Sequence, residues 1–177
     1  MFDKFTELVL NRQSCRDFNE KQLDKETIDK IISLALNCPS ACNSQPWKLY
    51  VVTDEEMKKE VASSLQVAFV NKFVSKAQAF IVLAETKAKL KPGATLMFSS
   101  DHFVKYDVGE MIAYLTLGAE SLGVSSCIIG LVDQKKLRAA IDFNEDEVAN
   151  IVIALGYSDI AKRPKVRKDK DVTVKYL

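Results

Sequence analysis

The stretch Cys38-Pro39-Ser40-Ala41-Cys42-Asn43-Ser44-Gln45-Pro46-Trp47-Lys48-Leu49-Tyr50-Val51-Val52 joins two unlike pieces of chain. Its first part is a polar, turn-rich loop pinned by two prolines. From Trp47 onward it is an apolar run that reads as a strand. Hydroxyl and amide side chains held at the mouth of a strand suit the edge of a polar ring system or a ribityl chain. Turn chemistry is the plain alternative, in which Ser40, Asn43 and Ser44 satisfy their own backbone and Trp47 belongs to the core.

Working outward, Asp24 opens a helix whose buried stripe is Ile28, Ile31, Ile32, Ala35 and Leu36, and Pro39 stops it. Phe2, Phe5, Leu8 and Val9 recur at helical spacing in an earlier helix that ends near Asn11 or Arg12. Downstream, Asp54 caps a third helix with Met57, Val61 and Leu65 on one side, and a further helical stretch runs to about Ser75. Phe80 to Leu83 is a buried strand. Glu85 to Asp101 is the least regular segment, containing Pro92 and Gly93. Val108, Met111, Ile112, Leu115 and Ala119 then form one face of a helix ending near Leu122-Gly123. Ser126 to Ile129 is a short strand closed by Gly130, Asp133 caps a short helix, and Val148 to Leu155 is the most apolar strand. Because the strands are continuous apolar runs, helices are expected on both sheet faces. The segment from Ser158 to Leu177 has no core of its own and needs a neighbour to be ordered.

With 177 residues, 47% hydrophobic and 28% charged, the chain suits one soluble domain, 1–177. A formal net charge of +1 argues against nucleic acid or a membrane surface as partner. Asp3, Lys4 and Glu7 interrupt the first apolar residues, so neither a signal peptide nor a membrane-spanning helix is expected. Cys15, Cys38, Cys42 and Cys127 match no zinc or dithiol spacing. Reduced thiols in a cytoplasmic protein without a metal are therefore expected, and Cys42 is taken as an inert buried thiol.

No Gly-x-Gly-x-x-Gly or P-loop motif is present, and His102 is the single histidine, which leaves no catalytic triad to assemble. No catalytic side chain stands out, so a cofactor is expected to carry any hard chemistry. Arg12-Gln13-Ser14-Cys15-Arg16, at a helix end, sets a hydroxyl between two guanidinium groups, which can offer paired donors to a terminal phosphate. Read alone, the same residues also make a solvated basic turn. The run Lys162-Arg163-Pro164-Lys165-Val166-Arg167-Lys168 is either a solvated tail or a source of further cations for the same anion.

In this order the motifs resemble the FMN-dependent nitroreductase family. The resemblance runs from Arg12-Gln13-Ser14-x-Arg16-x-Phe18 through Pro39-Ser40-x-x-Asn43-x-Gln45-Pro46-Trp47 and Gly118-x4-Gly123 to Ala154-Leu155-Gly156-Tyr157 and the basic tail. It implies an α+β, three-layer fold with a central mixed sheet covered by helices and a C-terminal tail extended onto a partner subunit. It also implies a homodimer with FMN at the subunit interface, NADH or NADPH as reductant, and a small-molecule oxidant such as a nitroaromatic or quinone. Arg12, Gln13, Ser14 and Arg16 would hold the phosphate and ribityl end together with Lys165 and Arg167. Pro39, Ser40, Asn43 and Gln45 would contact the flavin from the other subunit. Ile129 and Gly130 match the place where the family lays backbone near N5, and Asn71 corresponds to a residue at the pyrimidine edge. The segment from Lys87 to Phe103 is too brief for a large lid, so an open substrate side is expected, bordered by Phe98, Phe103 and Tyr106. A low-turnover flavin-binding protein, or a dehalogenase-like or flavin-degrading enzyme, are the other activities such a fold accommodates.

Overall fold

The computed structural model describes residues 1–177. In chain order the elements are α1 (Phe2–Asn11), α2 (Lys25–Ala35), β1 (Trp47–Val52), α3 (Glu55–Leu65), β2 (Ala79–Glu85), α4 (Pro92–Thr95), α5 (Val104–Ser121), β3 (Ser125–Ile129), α6 (Gln134–Ala140), β4 (Val148–Gly156) and α7 (Lys170–Thr173). Three aspartates fix helix starts by accepting otherwise orphaned backbone N–H groups. Asp24 accepts from Thr27 at 2.8 Å, Asp54 from Met57 at 2.9 Å, and Asp133 from Lys136 at 3.1 Å. Gly123 ends α5 with φ of +71°, a left-handed conformation that costs a residue with a Cβ. Between α3 and β2 the expected helical stretch is broken into two 3-10 turns, Val67–Phe69 and Lys72–Lys76, because Ala68 and Asn71 take positive φ.

The sheet order is β1-β2-β4-β3, and every neighbouring pair is antiparallel. Parallel pairing is confined to an isolated bridge between Ser14 and Ser126, which corrects the expectation of a mixed sheet within the strands of this chain. The apolar runs instead reflect two covered faces. Phe80, Val82 and Ala84 of β2 pack with Val61 and Leu65 of α3 and Leu137 of α6. Ala79, Ile81 and Leu83, alternating with them, pack with Ile28 and Ile31 of α2 and Met111 and Leu115 of α5. Two helix stripes differ from expectation: Leu36 and Met57 are exposed, while Lys58 is buried in Met57's place, its ammonium 2.9 Å from Glu55. In α1 no residue is fully buried: Leu8 is half-buried, and Phe2, Phe5, Val9 and Leu10 are exposed.

One buried polar group fastens the edge strand β1 to the turn ahead of β4. Glu147 accepts from Tyr50 Oη and from Lys48 Nζ at 3.2 Å on β1, and from Asn144 N and Nδ2 at 3.1 and 2.6 Å. The Tyr50 ring stands edge-on against Phe143 at 5.0 Å between centroids. Burial alone would raise the Glu147 carboxyl, but the bonds from Tyr50, Lys48 and Asn144 outweigh it and hold the group below its ordinary value. A depressed folded-state pKa gives stability that is present above the unfolded value, about 4.3, and lost as pH falls through the folded one. Glu147→Gln is therefore expected to lower stability at neutral pH by about 1.5–3 kcal/mol and to flatten the acid limb of the melting temperature against pH. An acid limb as steep as that of the unaltered protein would reject this assignment.

Candidate cofactor-binding site

The segment after α1 is bound to the sheet edge before it reaches any ligand. Cys15 N–H donates to the Ser126 carbonyl at 2.8 Å beside the Ser14–Ser126 bridge, and the buried Phe18 lies under the end of β4. Gly156 permits this approach, since a Cβ there would meet Phe18 Cδ1 at 2.8 Å. Arg12, Gln13 and Ser14 are thus held half-buried at one corner of the molecule, with Arg16 exposed beside them.

The tail returns to the same corner. Lys165 Nζ donates to the Arg12 carbonyl, Arg163 N–H donates to Gln13 Oε1 at 3.2 Å, and Arg163 Nη2 donates to the Ser14 carbonyl at 3.0 Å. Arg163 was not among the residues expected here; the basic run signalled it only as part of a charge cluster. Burial lowers the Arg12 guanidinium and the Lys165 ammonium from their ordinary values. Arg167 repels both, Arg12 and Lys165 repel one another, and Glu120 offsets part of this. Glu120 is itself engaged by Lys162 at 2.7 Å. Arg12 Nε is buried with no hydrogen-bond partner. A corner with crowded cations and a buried orphan donor fits an anion with several acceptor oxygens, such as a phosphate monoester.

The polar loop lies elsewhere in the chain. Ser40 Oγ accepts from Gln45 N–H at 2.9 Å, and Gln45 Nε2 donates to Asn43 Oδ1 at 3.2 Å, so these side chains shape the loop itself. Ala41 N–H donates to Asp107 in the first turn of α5, whereas the cationic corner meets Glu120 in its last turn. At about 1.5 Å per residue the two groups are separated by roughly 20 Å of helix. They also flank opposite sheet edges, β1 and β3. Cys42 is exposed with φ of +56°, which overturns the expectation of a buried thiol; the left-handed turn lifts it out of the core. Cys15, Cys38 and Cys127 are buried and free. Burial, with Glu110 and Asp107 nearby, pushes the Cys38 thiol up to about 11.

Ile129 ends β3 buried, and Gly130 follows it exposed, leaving backbone open to close approach. Asn71 spends its amide on the Leu65 carbonyl at 3.1 Å, closing the end of α3. Phe98, His102 and Phe103 pack against one another, edge-on or tilted, with centroids 4.6–5.1 Å apart, and Tyr106 stands 6.4 Å from His102. This aromatic group includes His102, which sequence reasoning had not placed with the others. A cavity of about 280 Å³ between α3 and β2, lined by Lys58, Gln66 and Gln78 among others, touches none of the residues expected at the site. No group of three or more His, Cys, Asp or Glu side chains is placed to hold a metal ion.

This fold and corner define a protein class. Residues 9–157 match the model of the nitroreductase family, and the chain belongs to that family. A relative from Archaeoglobus fulgidus, provisionally named an NADH dehydrogenase/NAD(P)H nitroreductase, is 30% identical over 166 residues, covering 92% of this chain and 86% of its own. A nitroreductase family protein from Streptococcus pneumoniae TIGR4 shares the fold with a TM-score of 0.82 at 23% identity, covering 98% of this chain and 100% of that one. An FMN-dependent nitroreductase from Clostridium difficile R20291 superimposes with a TM-score of 0.74 at 23% identity, covering 96% of each chain.

Because Gly156 keeps the Phe18 ring under β4, Gly156→Ala is expected to lower stability by about 1–3 kcal/mol through overpacking. Thermal or urea unfolding checks this, and an unchanged midpoint would mean that Phe18 yields without cost.

Proposed function

We propose that the chain is an FMN-dependent NAD(P)H oxidoreductase that passes hydride to small electrophiles such as nitroaromatics or quinones. The observation that carries the reading is the cationic corner, where Arg12, Lys165 and Arg167 crowd together and Arg12 Nε is buried without a partner. FMN bound there would supply reversible hydride transfer, which no side chain of this protein offers. Arg12, Arg16, Lys165 and Arg167 would take the phosphate, with Gln13 and Ser14 beside it. Ser14 is held to β3, so the phosphate side of the site is built on a strand and not on a free loop. Cations near the pyrimidine side would favour the anionic reduced form. Ile129 and Gly130 offer backbone, and Asn71 lends shape to its turn.

The site is completed by a second copy of the chain. One protomer anchors its polar loop and its cationic corner at opposite ends of α5, roughly 20 Å apart along its axis, which favours Pro39, Ser40, Asn43 and Gln45 reaching the flavin from a partner. The uncovered surface supports this. Phe2 is 79% exposed, Val166 87% and Tyr176 79%, and neither α1 nor α7 has a buried residue. Apolar surface of this extent on a helix and a coreless tail suits a self-complementary interface. No helix is long and apolar enough to cross a membrane. Four free cysteines suit a reducing cytoplasm.

Purified protein reconstituted with FMN is expected to be yellow, to bleach anaerobically with NADH or NADPH, and to show alternating (ping-pong) kinetics with a quinone or nitroaromatic acceptor. Failure to bind FMN, or bound FMN that neither nicotinamide reduces, overturns the reading. Arg12→Ala with Arg16→Ala is expected to weaken FMN binding by about 2–5 kcal/mol, the cost of truncating a charged contact. Unchanged affinity in that double variant would reject the phosphate placement.

A further inference from the structure

Asp107 stands in the first turn of α5, only 5% exposed, and its two oxygens are treated differently. Oδ1 accepts the Ala41 N–H at 3.0 Å, while Oδ2 is buried with no hydrogen-bond partner. No lysine or arginine pairs with the carboxylate, and the titratable groups near it, Cys38 and Glu110, offer no positive charge. The start of a helix favours an acid. It does not supply the missing donor, and a buried carboxylate with an unsatisfied oxygen lowers stability.

The loop that Asp107 holds is itself strained. Cys42, Asn43 and Gln45 take φ of +56°, +53° and +48°, a region that residues with a Cβ enter at a cost. Two side chains tie the loop to distant segments: Asp107 accepts from Ala41, and Ser44 Oγ accepts from the Lys89 N–H at 2.6 Å, while the Thr86 N–H adds a backbone bond to the Pro46 carbonyl at 3.0 Å. Strain and an unsatisfied buried charge at one contact are hard to explain as packing. Both are explained if the loop must keep one shape for a ligand.

We propose that Asp107 is a positioning residue that clamps the loop of residues 40–45 in the shape, left-handed at Cys42, Asn43 and Gln45, in which it meets the flavin of the partner subunit, at a standing cost to the stability of the flavin-free protein. The inference rests on the composite FMN site proposed above. Asp107 touches neither flavin nor substrate and acts through the Ala41 backbone.

The test uses full-length protein with two readouts, FMN affinity by flavin fluorescence and melting temperature without flavin. Asp107→Ala is expected to bind FMN at least about tenfold more weakly while the flavin-free protein melts at the same temperature or higher, since the unsatisfied charge is gone. Asp107→Asn keeps an oxygen for Ala41 and is expected to bind within about threefold of the unaltered protein. Ser44→Ala, which removes the second side-chain tie, is expected to weaken FMN in the same direction. Unchanged affinity in Asp107→Ala overturns the proposal. So does an Asp107→Ala protein that melts well below the unaltered one or does not fold, which would make the residue structural, and so does a failed rescue by asparagine. If the unaltered protein does not bind FMN, it is the functional reading that fails, and that result is seen before any variant is made.

Discussion

Positive charge that the chain gathers and does not neutralise is the constraint around which the rest is arranged. Arg12 is half-buried with an orphan Nε, Lys165 is drawn onto its carbonyl, and Arg167 repels both. Glu120 offsets part of this, and Lys162 already engages it. Left without a ligand, such a corner works against folding and against the return of the tail. A doubly charged phosphate would convert the same groups into charge-assisted hydrogen bonds. In the proposed site, ligand binding would then add directly to stability and make the tail part of the site.

Helix α5 sets the distance between the two halves of the proposed site. Its first turn anchors the polar loop through Asp107, its last turn carries Glu120 beside the cations, and its middle packs on α2 and the sheet. Packed along one face over this length, the helix is a stiff spacer that holds the loop away from the chain's own cationic corner. The proposed second copy would also cover the apolar residues on α1 and the coreless tail. Segments that look unfinished in one protomer are those that a symmetric pair would complete.

The three aspartate caps and the strand limits at Trp47 and Val52 were legible in sequence because they follow from local chemistry: a side-chain oxygen three residues ahead of a helix turn, and an apolar run after a proline. The two-faced core was legible from apolar runs, but the strand directions were not, since covered antiparallel strands read like parallel ones. Arg12 and the tail were recognisable through the order of motifs, whereas their convergence depends on the bridge from Ser14 to Ser126, across more than a hundred residues. Arg163 and Asp107 were missed for a related reason. Their roles are bonds to backbone atoms of distant segments, and no residue pattern encodes which backbone group is near.

The central claim is that each site takes its cations from one chain and its polar loop from another. Hybrid dimers test it most directly. One differently tagged chain carries Arg12→Ala and Arg16→Ala, the other carries Ser40→Ala and Asn43→Ala, and each is expected to bind FMN poorly on its own. Co-expressed and purified through both tags, they should recover about one tightly bound FMN per dimer, because one site then joins intact arginines to an intact loop. Hybrids that bind no better than either parent would contradict the account.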